Sequence, residues 1–105
     1  MNNRSYVGEK LMNRNEKSVA IFKALGDMTR IKIIESVYDQ EKSVGNISRD
    51  IGISQSAISH QLRLLREVDI VRYRQEGKER FYFISDDHVK TIINQVFVHT
   101  LDCGE

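Results

Sequence analysis

The 105 residues, 40% hydrophobic and 30% charged, suit one compact water-soluble domain, and a second is not expected. No apolar run reaches the roughly 18 residues of a membrane span, the polar start Met1-Asn2-Asn3-Arg4 has no signal-peptide core, and the single cysteine, Cys103, excludes an internal disulfide, so a reducing, cytoplasmic location is expected. The net charge of +1 hides an uneven distribution: residues 54–80 hold six Lys/Arg against four Asp/Glu and residues 81–105 one Lys against four Asp/Glu, which suits a polyanion in the middle and a cation at the end.

Residues 1–15 are polar, with Tyr6, Val7, Leu11 and Met12 spaced like one or two helical turns, and are expected to form an arm or short helix. From Glu16, the residues Val19, Ala20, Phe22 and Leu25 line one side of a first helix that Gly26 ends. Asp27 is a good N-cap for a second, whose Ile31, Ile34, Val37 and Tyr38 face the core before it ends near Asp39-Gln40. Ser43 to Ile51 reads as a short third helix with Val44, Ile47 and Ile51 inward, stopped by Gly52. The turn Gly52-Ile53-Ser54 leads to a fourth helix, capped by Ser54, in which Ile58, Leu62 and Leu65 recur on one stripe. Two short helices joined by a tight glycine-containing turn make a helix-turn-helix pattern. After Val68 the texture alternates: Ile70, Val71 and Tyr73 precede, and Phe81 to Ile84 follow, the turn Gln75-Glu76-Gly77-Lys78, which predicts a two-stranded β-hairpin wing. Asp86-Asp87 then caps a last helix to about Leu101, with Val89, Ile92, Ile93, Val96 and Phe97 on a broad apolar face. The expected fold is therefore mainly α (α+β): a winged helix-turn-helix of about five helices and a hairpin over residues 16–102, with 103–105 as a tail.

On the fourth helix, Ser54, Gln55, Ser56, Ser59, His60 and Arg63 fall outside the core stripe. Short serines let a backbone approach phosphate, while Gln, His and Arg reach base edges. The hairpin adds Arg72, Arg74, Lys78 and Arg80, cations for the sugar-phosphate backbone. Either element alone reads as an ordinary solvated surface. In succession, a reading helix followed by a basic wing, they point to double-stranded operator DNA.

The run Ser54-Gln55-Ser56-Ala57-Ile58-Ser59-His60-Gln61-Leu62-Arg63-Leu64-Leu65 resembles the recognition helix of the ArsR/SmtB family of metal-responsive repressors, and Ala24-Leu25-Gly26-Asp27-Met28-Thr29-Arg30 resembles that family's Leu-(Ala/Ser)-(Asp/Glu)-xx-Arg segment. The resemblance covers about Glu16 to Asp102. It implies a homodimeric transcriptional repressor, not an enzyme, whose hold on DNA weakens when metal binds. The arsenic- and cadmium-sensing members carry a Cys-x-Cys-like motif where this chain has Ser43-Val44-Gly45, so that thiolate site is absent.

The last helix carries Asp86, His88, His99 and Asp102, an oxygen-nitrogen set suited to Zn(II), with Co(II) second. His88 and His99 are eleven residues apart, about 16 Å along one helix, too far to share an ion. Two such helices packed antiparallel across a twofold axis bring Asp86 and His88 of one chain to His99 and Asp102 of the other, with two sites per dimer. The set is similar to the final-helix site of the family's zinc sensors, with Asp102 in place of the usual His or Glu. The same resemblance implies an allosteric link in which His99 donates its second ring N–H to the main-chain carbonyl of Asp69. Three alternatives stay open, one of them a winged-helix protein-interaction module, against which the reading face and wing cations argue. Asp86 can be only a helix cap and the histidines only surface groups, leaving a metal-independent DNA-binding regulator. A zinc hydrolase is disfavoured because four ligands fill a tetrahedral shell and leave no open position for water.

Overall fold

The computed structural model describes the backbone of residues 5–7 and 10–102 and the side chains of residues 12–101. The chain opens on two short antiparallel strands, β1 (Ser5–Val7) and β2 (Lys10–Met12), with Tyr6 opposite Leu11. This corrects the expected arm or short helix at residues 1–15 for the described part of that segment. Aromatic and β-branched residues favour strand, and only two residues, the first a glycine, separate the two strands in sequence. Helix α1 (Arg14–Leu25) then begins two residues before the expected start. The reason is a capping box: Asn13 accepts from the Glu16 amide at 2.8 Å and Glu16 accepts from the Asn13 amide at 3.1 Å.

Asp27 caps α2 (Met28–Val37) by accepting from the Arg30 amide at 3.1 Å. Strand β3 (Lys42–Ser43) leads directly into α3 (Val44–Ile51), with Ser43 both closing the strand and capping the helix. Gly52, at φ +86°, ends α3, Ser54 caps α4 (Gln55–Glu67), and the Ser48 hydroxyl bonds the Ile53 carbonyl across the turn. The wing is β4 (Val71–Glu76) and β5 (Glu79–Ile84), joined by Gly77-Lys78 with Gly77 at φ +63°, the positive φ that a two-residue hairpin turn needs. Strand β3 pairs with β5, so the sheet has three strands in the order β3-β5-β4 where the sequence pointed to two. Its two residues are too few to show alternation. Helix α5 (Asp87–Asp102) closes the chain, its first turn capped by Asp86, which accepts from the Val89 amide at 3.0 Å. Five helices with a three-stranded antiparallel sheet in this order make a winged helix-turn-helix. Among the described residues no helix is long and apolar enough to cross a membrane.

One core fixes these elements: Ile33, Ile34 and Val37 of α2, Ile47 of α3, Ile58, Leu62 and Leu65 of α4, Ile70, Val71 of β4, Tyr82 and Ile84 of β5, and Ile93 of α5. On α2 the inward stripe is Ile33-Ile34-Val37, with Ile31 only half-buried, because α3 and α4 both pack against this helix and widen its covered face. The apolar side expected for α1 behaves differently. Val19 and Phe22 are exposed and only Ala24 is buried.

The exit from α4 is closed tightly. Asp69 takes the left-handed conformation at φ +57°, its amide bonds the Arg66 carbonyl at 3.0 Å, and the Ile70 amide bonds the Leu65 carbonyl at 3.0 Å. These are the paired bonds of a Schellman cap, with aspartate where glycine is usual. The Ser85 amide in turn donates to the Ile70 carbonyl at 2.9 Å, so the start of α5 is tied to the end of α4.

Gly52→Ala should lower the unfolding free energy by about 1–2 kcal/mol. Nothing lies within 4 Å of the added Cβ, so the cost is conformational only. Thermal melts of both proteins test this, with a drop of about 4–8 °C expected per kcal/mol; an unchanged midpoint would contradict it.

Candidate nucleic-acid interface and metal ligands

Helix α4 is oriented by an arginine from outside the helix-turn-helix. The Arg30 guanidinium donates from Nε to the Ala24 carbonyl at 2.7 Å, from Nη1 to the Gln61 side-chain oxygen at 2.9 Å and from Nη2 to the Lys23 carbonyl at 3.4 Å. It thereby satisfies the Ala24 carbonyl at the C-terminus of α1, adds a second donor to the Lys23 carbonyl that already accepts from the Gly26 amide, and fixes α4 to them. Sequence reasoning read the Asp27-xx-Arg30 spacing only as a family mark. Nothing local in the sequence signals that Gln61, 31 residues away, is the target.

With Ile58, Leu62 and Leu65 inward and Gln61 turned to Arg30, the residues Ser54, Gln55, Ser56, Ser59, His60 and Arg63 are all exposed. Gln55 and Ser59 of this strip meet Lys78 and Arg80 of the wing in one open cleft of about 300 Å³, lined also by Ser43, Val44 and Gly45 at the start of α3 and by Glu79 and Tyr82. The structure thus gathers four of the ten expected contact residues around one polar hollow.

The four wing cations divide into two kinds. Arg72 lies in a two-pronged pair with Asp69, both bonds 2.9 Å. Arg74 is held by Glu41 at 2.6 Å and Glu76 at 2.9 Å, and also lies over the Phe81 ring. The Arg74 hydrogen bond holds the Glu41 carboxyl below its ordinary value, and the Arg72 hydrogen bond does the same to Asp69, so both pairs are charged at neutral pH. Lys78 and Arg80 form no ion pair among the described residues; Arg80 instead stacks on Tyr73, its guanidinium carbon 4.3 Å from the ring centroid. The wing cations without an ion-pair partner are those at the cleft, whose lining also holds the Glu79 carboxylate. Glu41 was not among the expected site residues, and its 33-residue separation from Arg74 leaves no mark in the sequence.

The expected metal ligands lie at the two ends of α5. Asp86 and His88 are together: His88 Nδ1 is 3.6 Å from Asp86 Oδ1, and the imidazole is almost fully exposed. The same Asp86 oxygen caps α5, so capping and nearness to His88 are combined. His99 is in the last turn, about 16 Å along the axis from His88, and the side chain of Asp102, like all of Cys103, falls outside the described residues. Among the described residues no three His, Cys, Asp or Glu side chains converge as a metal site. The nitrogen and oxygen donors fit a borderline divalent cation, and the two-residue half at Asp86 and His88 requires ligands from elsewhere.

Between α1 and α5 runs an apolar groove of about 180 Å³ lined by Phe22, Leu25, Ile31, Ile92, Val96 and Phe97 among others. Phe22 is 64% exposed, Val96 54% and Leu101 80%. This face extends along the helix that carries His88 and His99.

The profile of the bacterial regulatory protein arsR family matches residues 27–73. A cadmium resistance transcriptional regulatory protein, a CadC homolog of Staphylococcus aureus, is 36% identical, the alignment covering 90% of this chain and 87% of that protein. A transcriptional repressor of Synechocystis, an SmtB homolog, is 32% identical over 84% of this chain and 67% of its own length. Among solved structures, the homodimeric winged helix-turn-helix DNA-binding domain of a Mycobacterium bovis protein superposes with a TM-score of 0.79 over 82% of this chain and 80% of that one, at 24% identity. That likeness is one of fold.

Arg30→Lys should cost about 2 kcal/mol of unfolding free energy, because an ammonium cannot reproduce the forked, charge-assisted bonds to two carbonyls and Gln61. Urea unfolding measures it. A loss of only a few tenths would show that the guanidinium does not hold α1 to α4.

Proposed function

Because the chain belongs to the arsR family of bacterial regulatory proteins, we propose that it is a homodimeric repressor which holds double-stranded operator DNA through α4 and the wing tip and releases it when Zn(II), or secondarily Co(II), binds between the two α5 helices. Residues 16–102 act in this reading as one DNA-binding and dimerisation unit. The observation that carries it is the cleft at which Gln55 and Ser59 meet Lys78 and Arg80, the wing cations without an ion-pair partner among the described residues. Exposed hydrogen-bonding groups of the reading helix then reach base edges while unpaired cations meet phosphate. Ser54, Ser56, His60 and Arg63 extend the same surface, and Arg72 and Arg74 chiefly brace the wing.

The dimer reading rests on the apolar groove and on Phe22, Val96 and Leu101, large apolar side chains of α1 and α5 left exposed on a single chain, as a subunit interface would leave them. Antiparallel pairing of α5 helices over that groove would complete each half-site: Asp86 and His88 from one subunit, His99 and Asp102 from the other. A bound divalent cation supplies a bond between subunits that favours one dimer shape over another. In the same antiparallel pairing, the His99 imidazole of one subunit gives one ring nitrogen to the site and its other ring N–H to the Asp69 carbonyl of the subunit that supplies Asp86 and His88. Asp69 is the left-handed residue of the α4 cap, and the Ser85 amide, next to Asp86, already holds the adjacent Ile70 carbonyl. The start of α5 is thus tied to the exit from the reading helix, and the proposed His99 bond would join that exit to the metal site. The relatives named for cadmium resistance and repression support a metal-responsive repressor. The alternative is a regulator of the same fold that ignores metal, with Asp86 serving only as a cap.

The test is a DNA-binding titration, with and without a panel of divalent metals, on a duplex selected by the protein from a randomised pool. Wild type should lose affinity with Zn(II) by about 5- to 150-fold, the usual span of allosteric coupling. His99→Gln should bind the duplex normally without metal and show no release with it; normal release would refute the link. Wild-type affinity indifferent to every metal would favour the alternative. Arg63→Ala should weaken binding in both conditions by about 1–3 kcal/mol, and unchanged affinity would move the reading surface elsewhere.

A further inference from the structure

We infer that Tyr73 is a positioning residue: its ring holds the Arg80 guanidinium, still fully charged, at the cleft where a DNA phosphate passes. The inference rests on the DNA-binding reading above. Tyr73 lies in β4 directly across from Tyr82, and the two rings are 5.4 Å apart at 52°. Tyr82 is buried in the core and its residue also pairs with Lys42 of β3, so it cannot shift. Tyr73 is therefore braced from behind by a fixed ring. Over Tyr73 lie two cations, Arg80 from the wing at 4.3 Å and Arg66 from α4 at 5.1 Å. One aromatic side chain thus joins the reading helix to the strand that carries the contact arginine.

The choice of an aromatic anchor has a physical consequence. A carboxylate would hold an arginine just as firmly, as Asp69 and Glu41 hold Arg72 and Arg74, but it would neutralise the charge and compete with phosphate. A ring quadrupole attracts the guanidinium and leaves its charge and its N–H donors for a ligand. An arginine free in solvent has many rotamers to lose on meeting DNA. One already stacked has lost part of that freedom in advance, so binding is tighter with no added contact.

The experiment measures affinity for the selected duplex across a salt series for Tyr73→Phe, Tyr73→Leu, Arg80→Ala and the Tyr73→Leu/Arg80→Ala double variant, each checked for an intact melting transition. Arg80→Ala should weaken binding and reduce the slope of log affinity against log salt by about 1, the signature of a lost phosphate contact. Tyr73→Phe keeps the ring and should bind as wild type does. Tyr73→Leu should weaken binding about threefold, on the scale of an exposed cation–π contact, with the slope unchanged. On the Arg80→Ala background the same substitution should cost nothing further. An equal loss from Tyr73→Leu with and without Arg80 would overturn the inference and make Tyr73 ordinary wing packing. If Arg80→Ala leaves affinity and slope unchanged while Arg63→Ala still weakens binding, the inference falls and the DNA-binding reading stands. If the wild type selects no duplex, both fall.

Discussion

The arrangement of the whole chain depends on one guanidinium. Arg30 sits at the start of α2, bonds two carbonyls at the end of α1 and reaches the Gln61 side chain on α4. Apolar packing alone is tolerant of small rotations, because Ile33, Ile34, Ile47, Ile58 and Leu62 present no directional bonds. Hydrogen bonds at fixed angles are not so tolerant. The angle at which the reading helix stands relative to α1, and hence to the apolar groove between α1 and α5, is set by this fork. A surface that reads DNA from two subunits at once needs that angle to be reproducible, since the separation of two reading helices must match the repeat of the duplex.

The wing illustrates how the same residue type is put to different uses by its neighbours. Arg72, Arg74 and Arg80 look alike as a basic ribbon, yet two are held by carboxylates and one by a ring. Exposed ion pairs of this kind add little to stability. Their effect is on shape: Glu41, which precedes β3, clasps Arg74 and draws the loop before β3 against the wing, reinforcing the short β3–β5 pairing that the backbone makes at Lys42 and Ser43.

Much of this was legible from the sequence because it depends on neighbours along the chain. Caps at Asp27 and Ser54, the helix stop at Gly52, the stripe Ile58-Leu62-Leu65 and the glycine-bearing wing turn all follow from spacing and residue type, and the structure has each in place. Apart from the local Asn13–Glu16 capping box and the β1–β2 pair, what escaped depends on distant pairs or on absent ones. The third strand is two residues long, too short for a period; Arg30–Gln61 and Arg74–Glu41 join residues 31 and 33 apart. Val19 and Phe22 repeat at helical spacing as core residues do, and only the three-dimensional packing reveals that they face outward. The proposed ligands on α5 were readable only as a list of donors, of which the structure of one chain brings just Asp86 and His88 together.

The outward apolar face of α1 and α5 has a consequence for gene dosage. If this face is where two copies meet, as proposed, the chain's stability gains from how often it meets a second copy. Where single chains dominate, the abundance of pairs rises with the square of the chain concentration. Occupancy of a site that accepts only pairs then climbs steeply over a narrow range of expression, and a cell obtains a threshold from nothing more than a strip of uncovered side chains.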